Sequence, residues 1–470
     1  MRNTILRIEE IIIQNYKNVS YGEIDFKNNN SNLKASILGL YGQNGSGKTT
    51  LIDAIKLLKC VMMGMSVPLS FSECINVDCE FSNFKFKFGI KDLTKDVLYN
   101  VVYSFAIKKS KYSNVNVEST GTPNTEYKTE IFNEQLNYSV IKDETIVERM
   151  HSLIDTIEPS ITFTPKTTVK DLIGTSDDDE TNVIVAKKIA ATTSKSFIFS
   201  NELISIVRKK CKNETYLYLL NSLINYAHLN LFVFDNTSNA MISFDALPLS
   251  LRLHNKNLES GGTIVLPING NGSVRKELLD EVRRGIDNTN IVLEQLIPGL
   301  TIGIKVTGEQ VEQDGGISCI THLISNKNSK EIPLRYESEG IKKMIAILNL
   351  LINVYNEPSI TVAIDELDSG IFEYLLGELL GIISQKGKGQ LIFTSHDLRP
   401  LETLDKGFVA FTTTNPKNRY IRFTNVKKSN NLRDFYYKDI MLGGQNEVVY
   451  DKTNNHEIAF ALREAGKANA

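Results

Sequence analysis

The hydrophobic residues of this chain change period several times, and each change predicts a change of element. Between residues 5 and 26, apolar positions alternate or cluster (Ile8, Ile11, Ile13, then Ile24 and Phe26) on either side of a polar corner, Asn15-Tyr16-Lys17-Asn18. That pattern predicts two strands joined by a turn, and they are expected to open the sheet that carries the glycine-rich loop at Gly42 to Gly47. The apolar run Ile37, Leu38, Leu40 predicts a buried strand. Leu51, Ile52, Ala54, Ile55 and Leu58 then recur at the spacing of a helix. From 71 to 105, stretches such as Phe84 to Phe88 (FKFKF) and VLYNVVYSF alternate strictly, which predicts half-exposed antiparallel strands in a second, smaller sheet.

Residues 107 to 130 are polar and read as a hairpin tip bearing Lys108, Lys109 and Lys111. Residues 131 to 235 read as helices, among them one run from Ile206 to Leu229, with no heptad sustained long enough for a coiled-coil arm. Asp177 to Glu180 (DDDE) reads as a solvated loop rather than a metal cluster, and the Gly-, Ser- and Asn-rich stretch 258 to 275 as another loop. Helical spacing returns from Arg275 to Gln295. LTIGIKV and ISCITHLI then predict a hairpin about the turn Gln313-Asp314-Gly315-Gly316. Residues 335 to 356 predict a short polar knot and a long helix. Residues 359 to 368 (SITVAIDELD) predict a buried strand, Ile371 to Ser384 a helix, and LIFTS a second buried strand that ends at His396.

Composition adds exclusions. The chain has 470 residues, enough for one large or two intimate domains. A net charge of −2 advertises no global basic field for nucleic acid. Five irregularly spaced cysteines argue against a disulfide framework and for a reducing compartment, so the cytoplasm is the expected location. No apolar run approaches the roughly 18 residues of a membrane span.

The chemistry concentrates in the segment between the strand at Ile37 and the helix at Leu51. Gly42, Gln43, Asn44, Gly45, Ser46, Gly47, Lys48, Thr49 and Thr50 fill the pattern G-x-x-x-x-G-K-[ST] in its strand–loop–helix context. Glycines turn backbone N–H groups toward phosphates, Lys48 reaches the outer phosphates, and the Thr49 hydroxyl is a ligand for Mg²⁺. ATP and Mg²⁺ are therefore the expected ligands. Ser338 and Gly340 open the helix after the polar knot, where unpaired N–H groups favour an anion, although an ordinary helix cap accounts for Ser338 equally well. Asp365 and Glu366 end their strand as adjacent carboxylates, suited to a metal hydration shell and to an attacking water. His396 ends the neighbouring strand, where it is expected to contact the γ-phosphate.

In order, these motifs resemble those of the ABC-type ATPases, in the OLD, RecF and SMC-like branch. The resemblance implies an α/β fold: an ABC-type ATPase head, that is a P-loop NTPase with a mixed sheet and an antiparallel β subdomain, carrying a helical insertion. It implies four segments: 1–130 with the phosphate loop and β subdomain, 131–275 a mainly helical insertion, 276–430 with signature, Walker B and switch histidine, and 431–470 a tail suited to docking. It further implies Ser338 and Gly340 as the signature that caps ATP bound by a second subunit and Asp365 as the Walker B aspartate. Glu366 becomes the catalytic base, Leu367 and Asp368 the start of the D-loop, and His396 the switch histidine. The catalytic set would be Glu366, His396 and Lys48, with Thr49 and Asp365 on the metal. ESEG departs from the transporter signature, and the Q-loop glutamine is not placed, Gln135 being a candidate in name only.

YGQNGSGKTTL, YESEGIKKM, IDELDSGIFEYLLGEL, FTSHDLRPLETL and FTTTNPKNRY look like the ATPase subunits of PARIS-type anti-phage defence systems. That similarity implies a cytoplasmic homo-oligomer, a dimeric ATP sandwich or larger, up to a hexamer, which holds a TOPRIM-type nuclease effector until a phage-encoded protein triggers release. No D-x-D pair follows His396, so the cleavage chemistry is expected in a partner. Phe435, Tyr436, Tyr437 and Ile440, or the run Ile458 to Leu462, are docking candidates, with packing on the chain's own sheet as the alternative. The rival reading is a RecF- or SMC-like DNA-binding ATPase of repair or maintenance. DNA stays open as a partner through Lys108 to Lys111 or Arg208 to Lys212. A membrane partner is not expected.

Overall fold

The computed structural model describes residues 3–26, 35–111, 127–158, 162–255, 258–270, 272–328, 330–424 and 431–467. Two strands, β1 (Thr4–Tyr16) and β2 (Val19–Asp25), form a hairpin at the Asn15-Tyr16-Lys17-Asn18 corner, with Asn15 and Lys17 at φ 58° and 51°. β3 (Ser36–Tyr41) is buried along its whole length and feeds the phosphate loop, which α1 (Lys48–Met62) follows. A short α2 (Leu69–Glu73) leads into β4 (Phe81–Asp92), β5 (Val97–Lys111), β6 (Tyr127–Lys142) and β7 (Thr145–Asp155). These complete an antiparallel sheet in the order β2-β1-β4-β5-β6-β7. Its alternation places Phe84, Phe86 and Phe88 with Val101, Tyr103 and Phe105 on one buried face.

Helices α3 (Lys166–Ile173), α4 (Asp177–Thr192), α5 (Asn201–Lys210) and α6 (Glu214–Asn225) come next, and a π turn (Tyr226–Asn230) delivers β8 (Leu231–Phe234). α7 (Asn236–Ser243) precedes the hairpin β9 (Ala246–Asn255) and β10 (Leu258–Pro267). β11 (Gly272–Arg275), α8 (Lys276–Leu296), β12 (Leu300–Val311), β13 (Ile317–Lys327) and β14 (Lys330–Pro333) form a small antiparallel sheet with its helix. α9 (Glu339–Asn356) is buried almost all round, as a core helix must be when apolar residues are not confined to one stripe. β15 (Thr361–Ile364), α10 (Glu373–Lys386), β16 (Gln390–Thr394), the short α11 (Pro400–Thr403), β17 (Val409–Thr412) and β18 (Tyr420–Ile421) follow, and then α12 (Leu432–Leu442) and α13 (Asn455–Lys467).

The second large sheet runs β18-β17-β3-β16-β15-β8, with β17, β3, β16, β15 and β8 parallel. Both of its faces are covered, the usual condition of parallel strands. α1 lies between the two sheets, packing Leu51, Ile52, Ile55 and Leu58 with Ile11, Phe86, Leu38 and Leu40. On the opposite face, Ile345 and Leu348 of α9 join Leu380 and Ile383 of α10 in a core with Ile37, Val362 and Leu391. The phosphate loop therefore emerges from the middle of the sheet, held by a helix that packs on two sides.

Several expectations are corrected. β1 and β2 belong to the antiparallel sheet, not to the one that carries the phosphate loop, and that sheet equals the other in strand number. Residues 131 to 155 are strands rather than the start of a helical insertion. The alternation in β6 is interrupted by a bulge near Asn133 and is exposed along β7, which hid the period. Asp177 to Glu180 form the first turn of α4, capped by Ser176, whose hydroxyl accepts the Asp179 N–H at 3.2 Å. The run 206–229 is two helices and a π turn, broken where Asn213 caps α6. The stretch 258–275 contains β10 and β11, and at one of its glycines the backbone is closely approached: a Cβ on Gly261 would meet the His228 carbonyl at 2.6 Å. The tip beyond Lys111 lies outside the described residues.

Candidate functional site

Gly47 precedes α1 in the left-handed region (φ 95°), which a side chain would strain, and so the loop turns tightly into the helix. No acidic residue occupies the first turn of α1, leaving its positive end open to an anion. Lys48 is 7% exposed, and its ammonium donates to the carbonyls of Gly42 (2.8 Å) and Gln43 (2.9 Å), closing the loop on itself.

A cleft of about 430 Å³ opens beside this loop. Lys17, Asn18, Asn44, Gly45, Gly47, Lys48, Thr49 and Thr50 line it, facing Asp365, Glu366, Thr394 and His396. Residues separated by more than 300 positions meet there because β3, β16 and β15 are parallel neighbours that present their C-terminal ends on one side. Gly42, Gln43 and Ser46 do not line the cleft. The Ser46 hydroxyl bonds to Thr412 and donates to the Gln43 carbonyl at 2.7 Å, while the Gln43 side chain accepts the Asp451 N–H at 2.8 Å.

Asp365 is fully buried. Its Oδ1 accepts the Thr394 hydroxyl at 2.6 Å, and its Oδ2 has no hydrogen-bond partner. Burial raises its pKa and the Thr394 hydroxyl opposes the rise. An orphaned carboxylate oxygen next to a threonine hydroxyl fits Mg²⁺, a hard cation that takes one or two protein oxygens and fills its remaining positions with water and phosphate. Among the described residues, no group of three or more His, Cys, Asp or Glu side chains could hold a metal by itself. Burial pulls the Lys48 ammonium down to about 8, against the opposing charges of Asp365, Asp368 and Glu366. His396 stands at the mouth of the cleft, its pKa lowered by burial and then by Lys48, which favours the neutral imidazole.

Glu366 adopts φ 50°, a left-handed conformation that costs a non-glycine residue roughly 1–2 kcal/mol. Its N–H donates to the Thr394 hydroxyl at 2.7 Å. The following Asp368 accepts the main-chain N–H groups of His396 and Asp397, each at 3.0 Å. Ser338 and Gly340 lie outside the cleft. Ser338 caps α9, accepting the Ile341 N–H at 3.3 Å, and Gly340 packs on the turn after Asp368: a Cβ there would sit 1.9 Å from the Gly370 carbonyl. Gln135 bonds to Asp155 on the antiparallel sheet, away from the cleft.

The sheet order, with the phosphate-loop strand beside the histidine strand and that beside the carboxylate strand, decides the fold. It is an α/β fold of the P-loop type. Residues 10–231 of the chain match the AAA domain family. Among solved structures, the chain is similar to the Smc head domain with an extended coiled coil bound to the C-terminal domain of ScpA from Pyrococcus furiosus (12% identity, 89% of this chain and 97% of that one, TM-score 0.38). It is also similar to the SMC head domain from Thermotoga maritima (13%, 89% and 99%, 0.35) and to the Smc head domain with a coiled coil and joint from Pyrococcus yayanosii (10%, 92% and 100%, 0.40). No curated protein gives a significant match. No helix among the described residues is long and apolar enough to cross a membrane.

The pattern reading missed four residues that support the loop. Lys17 and Asn18 read only as a turn, yet Asn18 donates to the Gly45 carbonyl and Lys17 pairs with Asp53 of α1. Arg419 is buried and donates to the carbonyls of Asn18 and Thr413, and the Tyr420 hydroxyl donates to the Gly47 carbonyl at 3.0 Å. The signal in hand was FTTTNPKNRY, polar and aromatic residues packed too densely for an ordinary turn. Three of the basic candidates for a DNA contact make ion pairs within the chain: Lys108 with Glu130, Lys109 with Glu73 and Lys210 with Asp179.

Proposed function

We propose that this chain is an ABC-type ATPase head that binds and hydrolyses ATP in the cleft, and that two copies close around nucleotide, each ATP held by Lys48 and Thr49 of one subunit and Ser338 of the other. The observation that carries this reading is the buried, unpartnered Oδ2 of Asp365 on the same cleft as Lys48, Thr49 and Glu366. Thr49 and Asp365 would hold Mg²⁺, which supplies charge neutralisation on the phosphates. Lys48 binds the outer phosphates. Glu366 orients and deprotonates the attacking water, and His396, as the neutral imidazole, contacts the γ-phosphate.

The biological setting we infer is a sensor and scaffold subunit of an anti-phage defence system, of the AriA type found in PARIS systems. It would retain a TOPRIM-type nuclease until a phage protein acts. The motif sequences support this reading. So does the tail: α12 packs Leu432 and Tyr436 into the core but leaves Tyr437 and Met441 exposed, and α13 exposes Ile458, Phe460 and Leu462. A contact made only in the closed state couples nucleotide to partner thermodynamically. The test is native mass and ATPase rate of the purified protein with and without a co-expressed TOPRIM nuclease. Stable co-purification in an oligomer is expected. A protein that ignores the nuclease and gains ATPase activity with duplex DNA overturns the defence reading.

A further inference from the structure

The helix that begins at Ser338 carries two consecutive lysines, and both are buried. Lys342 pairs with Asp245 at 3.4 Å on the side of the β9 hairpin. Lys343 turns the other way, toward the loop after β15, where its ammonium donates to the main-chain carbonyl of Glu366. That carbonyl also accepts the Ser369 N–H at 3.0 Å, while the Glu366 N–H is held by Thr394. The residue is thus gripped at both of its peptide groups while its backbone sits in the left-handed region (φ 50°).

A buried ammonium is costly unless its surroundings compensate it. Around Lys343 the compensation comes from the Glu366 carbonyl and from the carboxylates of Asp368, Glu366 and Asp365, whose charges oppose the desolvation that draws its pKa down to about 8. A leucine or methionine would fill the same volume at no electrostatic cost. What the ammonium adds is a directional hold on one strained peptide.

We propose that Lys343 is a positioning residue for Glu366: its ammonium fixes the main-chain conformation that aims the Glu366 carboxylate into the cleft shared with Lys48 and Thr49. This rests on the reading of Glu366 as the base. Because Lys343 lies on α9 five positions after Ser338, a displacement of the helix end that meets a second subunit's nucleotide is carried to the base within one chain.

The experiment compares wild type with Lys343→Met and Lys343→Arg, reading kcat and KM for ATP, binding of a fluorescent ATP analogue, and native mass. Misplacing a catalytic group by about 1 Å can cost on the order of a hundredfold, so Lys343→Met should lower kcat ten- to a hundredfold with KM and analogue affinity within about twofold. Lys343→Arg should recover part of the loss. In a Glu366→Gln background, Lys343→Met should still assemble with ATP as Glu366→Gln alone does. A kcat within twofold of wild type, or a loss that falls on KM and analogue binding, overturns the proposal. So does failure of the double variant to assemble. If Lys343→Met does not fold, Lys343→Leu, which likewise removes the donor, is read by the same criteria. A Glu366→Gln protein that turns over normally defeats the reading of Glu366 instead, which separates the two failures.

Discussion

Asp368 holds His396 by its main chain: the carboxylate accepts the His396 N–H at 3.0 Å, and a second bond from Asp397 fixes the same loop. The turn after the carboxylate strand and the turn after the histidine strand are therefore one mechanical unit. Hydrogen bonds to a charged acceptor are worth about 1.5–3 kcal/mol each. Asp368→Ala should lower kcat by ten- to a hundredfold while nucleotide affinity changes little, and Asp368→Asn, which keeps one acceptor oxygen, should lose less. Steady-state kinetics beside an equilibrium binding titration checks this.

Glu366→Gln removes the proposed base while preserving shape. General-base catalysis contributes typically 10²–10⁴-fold, so kcat should fall by at least about a hundredfold, with ATP retained and the oligomer trapped, as native mass would register. An unchanged rate would remove Glu366 from the chemistry.

Lys48 gives a pH dependence of binding. Its folded value of about 8 lies below the ordinary lysine value, so the charge on the ammonium proposed to bind phosphate is present below pH 8 and is lost above it. ATP affinity should weaken as pH rises past 8, by up to about tenfold per unit before nucleotide itself stabilises the charge. Stability moves the other way. Lys48, Lys59 and Lys343 all sit near 8 when folded, so between pH 8 and the unfolded lysine value the unfolded chain binds more protons and stability rises with pH. Binding titrations and thermal melts at pH 7, 8 and 9 read both signs.

Gly340→Ala puts a methyl group 1.9 Å from the Gly370 carbonyl, a distance no rotamer relieves. Overpacking of this kind costs typically 1–3 kcal/mol. The melting temperature should drop by several degrees, and ATP-dependent assembly should fail even where nucleotide binding persists, because the cleft itself excludes Gly340. Analytical ultracentrifugation with and without ATP decides it.

The part of the chain that the sequence made legible is the part with strong local chemistry. The phosphate loop, the Asp365-Glu366 pair and His396 announced themselves because glycines and carboxylates at strand ends have few other uses, and parallel strands on a shared edge then bring them together. The second sheet was half legible. FKFKF alternates cleanly, but β6 and β7 carry bulges and exposed apolar residues such as Ile146 and Val147 that blur the period. What stayed invisible is cooperation at long range. Arg419 reaches the Asn18 carbonyl across 401 positions, and Lys343 of α9 reaches the turn at Glu366. No local pattern encodes such pairs, since each member alone reads as an ordinary solvated charge.

The contact between Gly340 and Gly370 has an evolutionary reading. Thirty positions apart in the chain, the two residues occupy one volume in which neither can acquire a side chain while the other's backbone stays put. Drift at either position is therefore conditional on the other. Relatives in which the first glycine is replaced should show a rerouted second turn, so that the pair is inherited as a single character rather than as two.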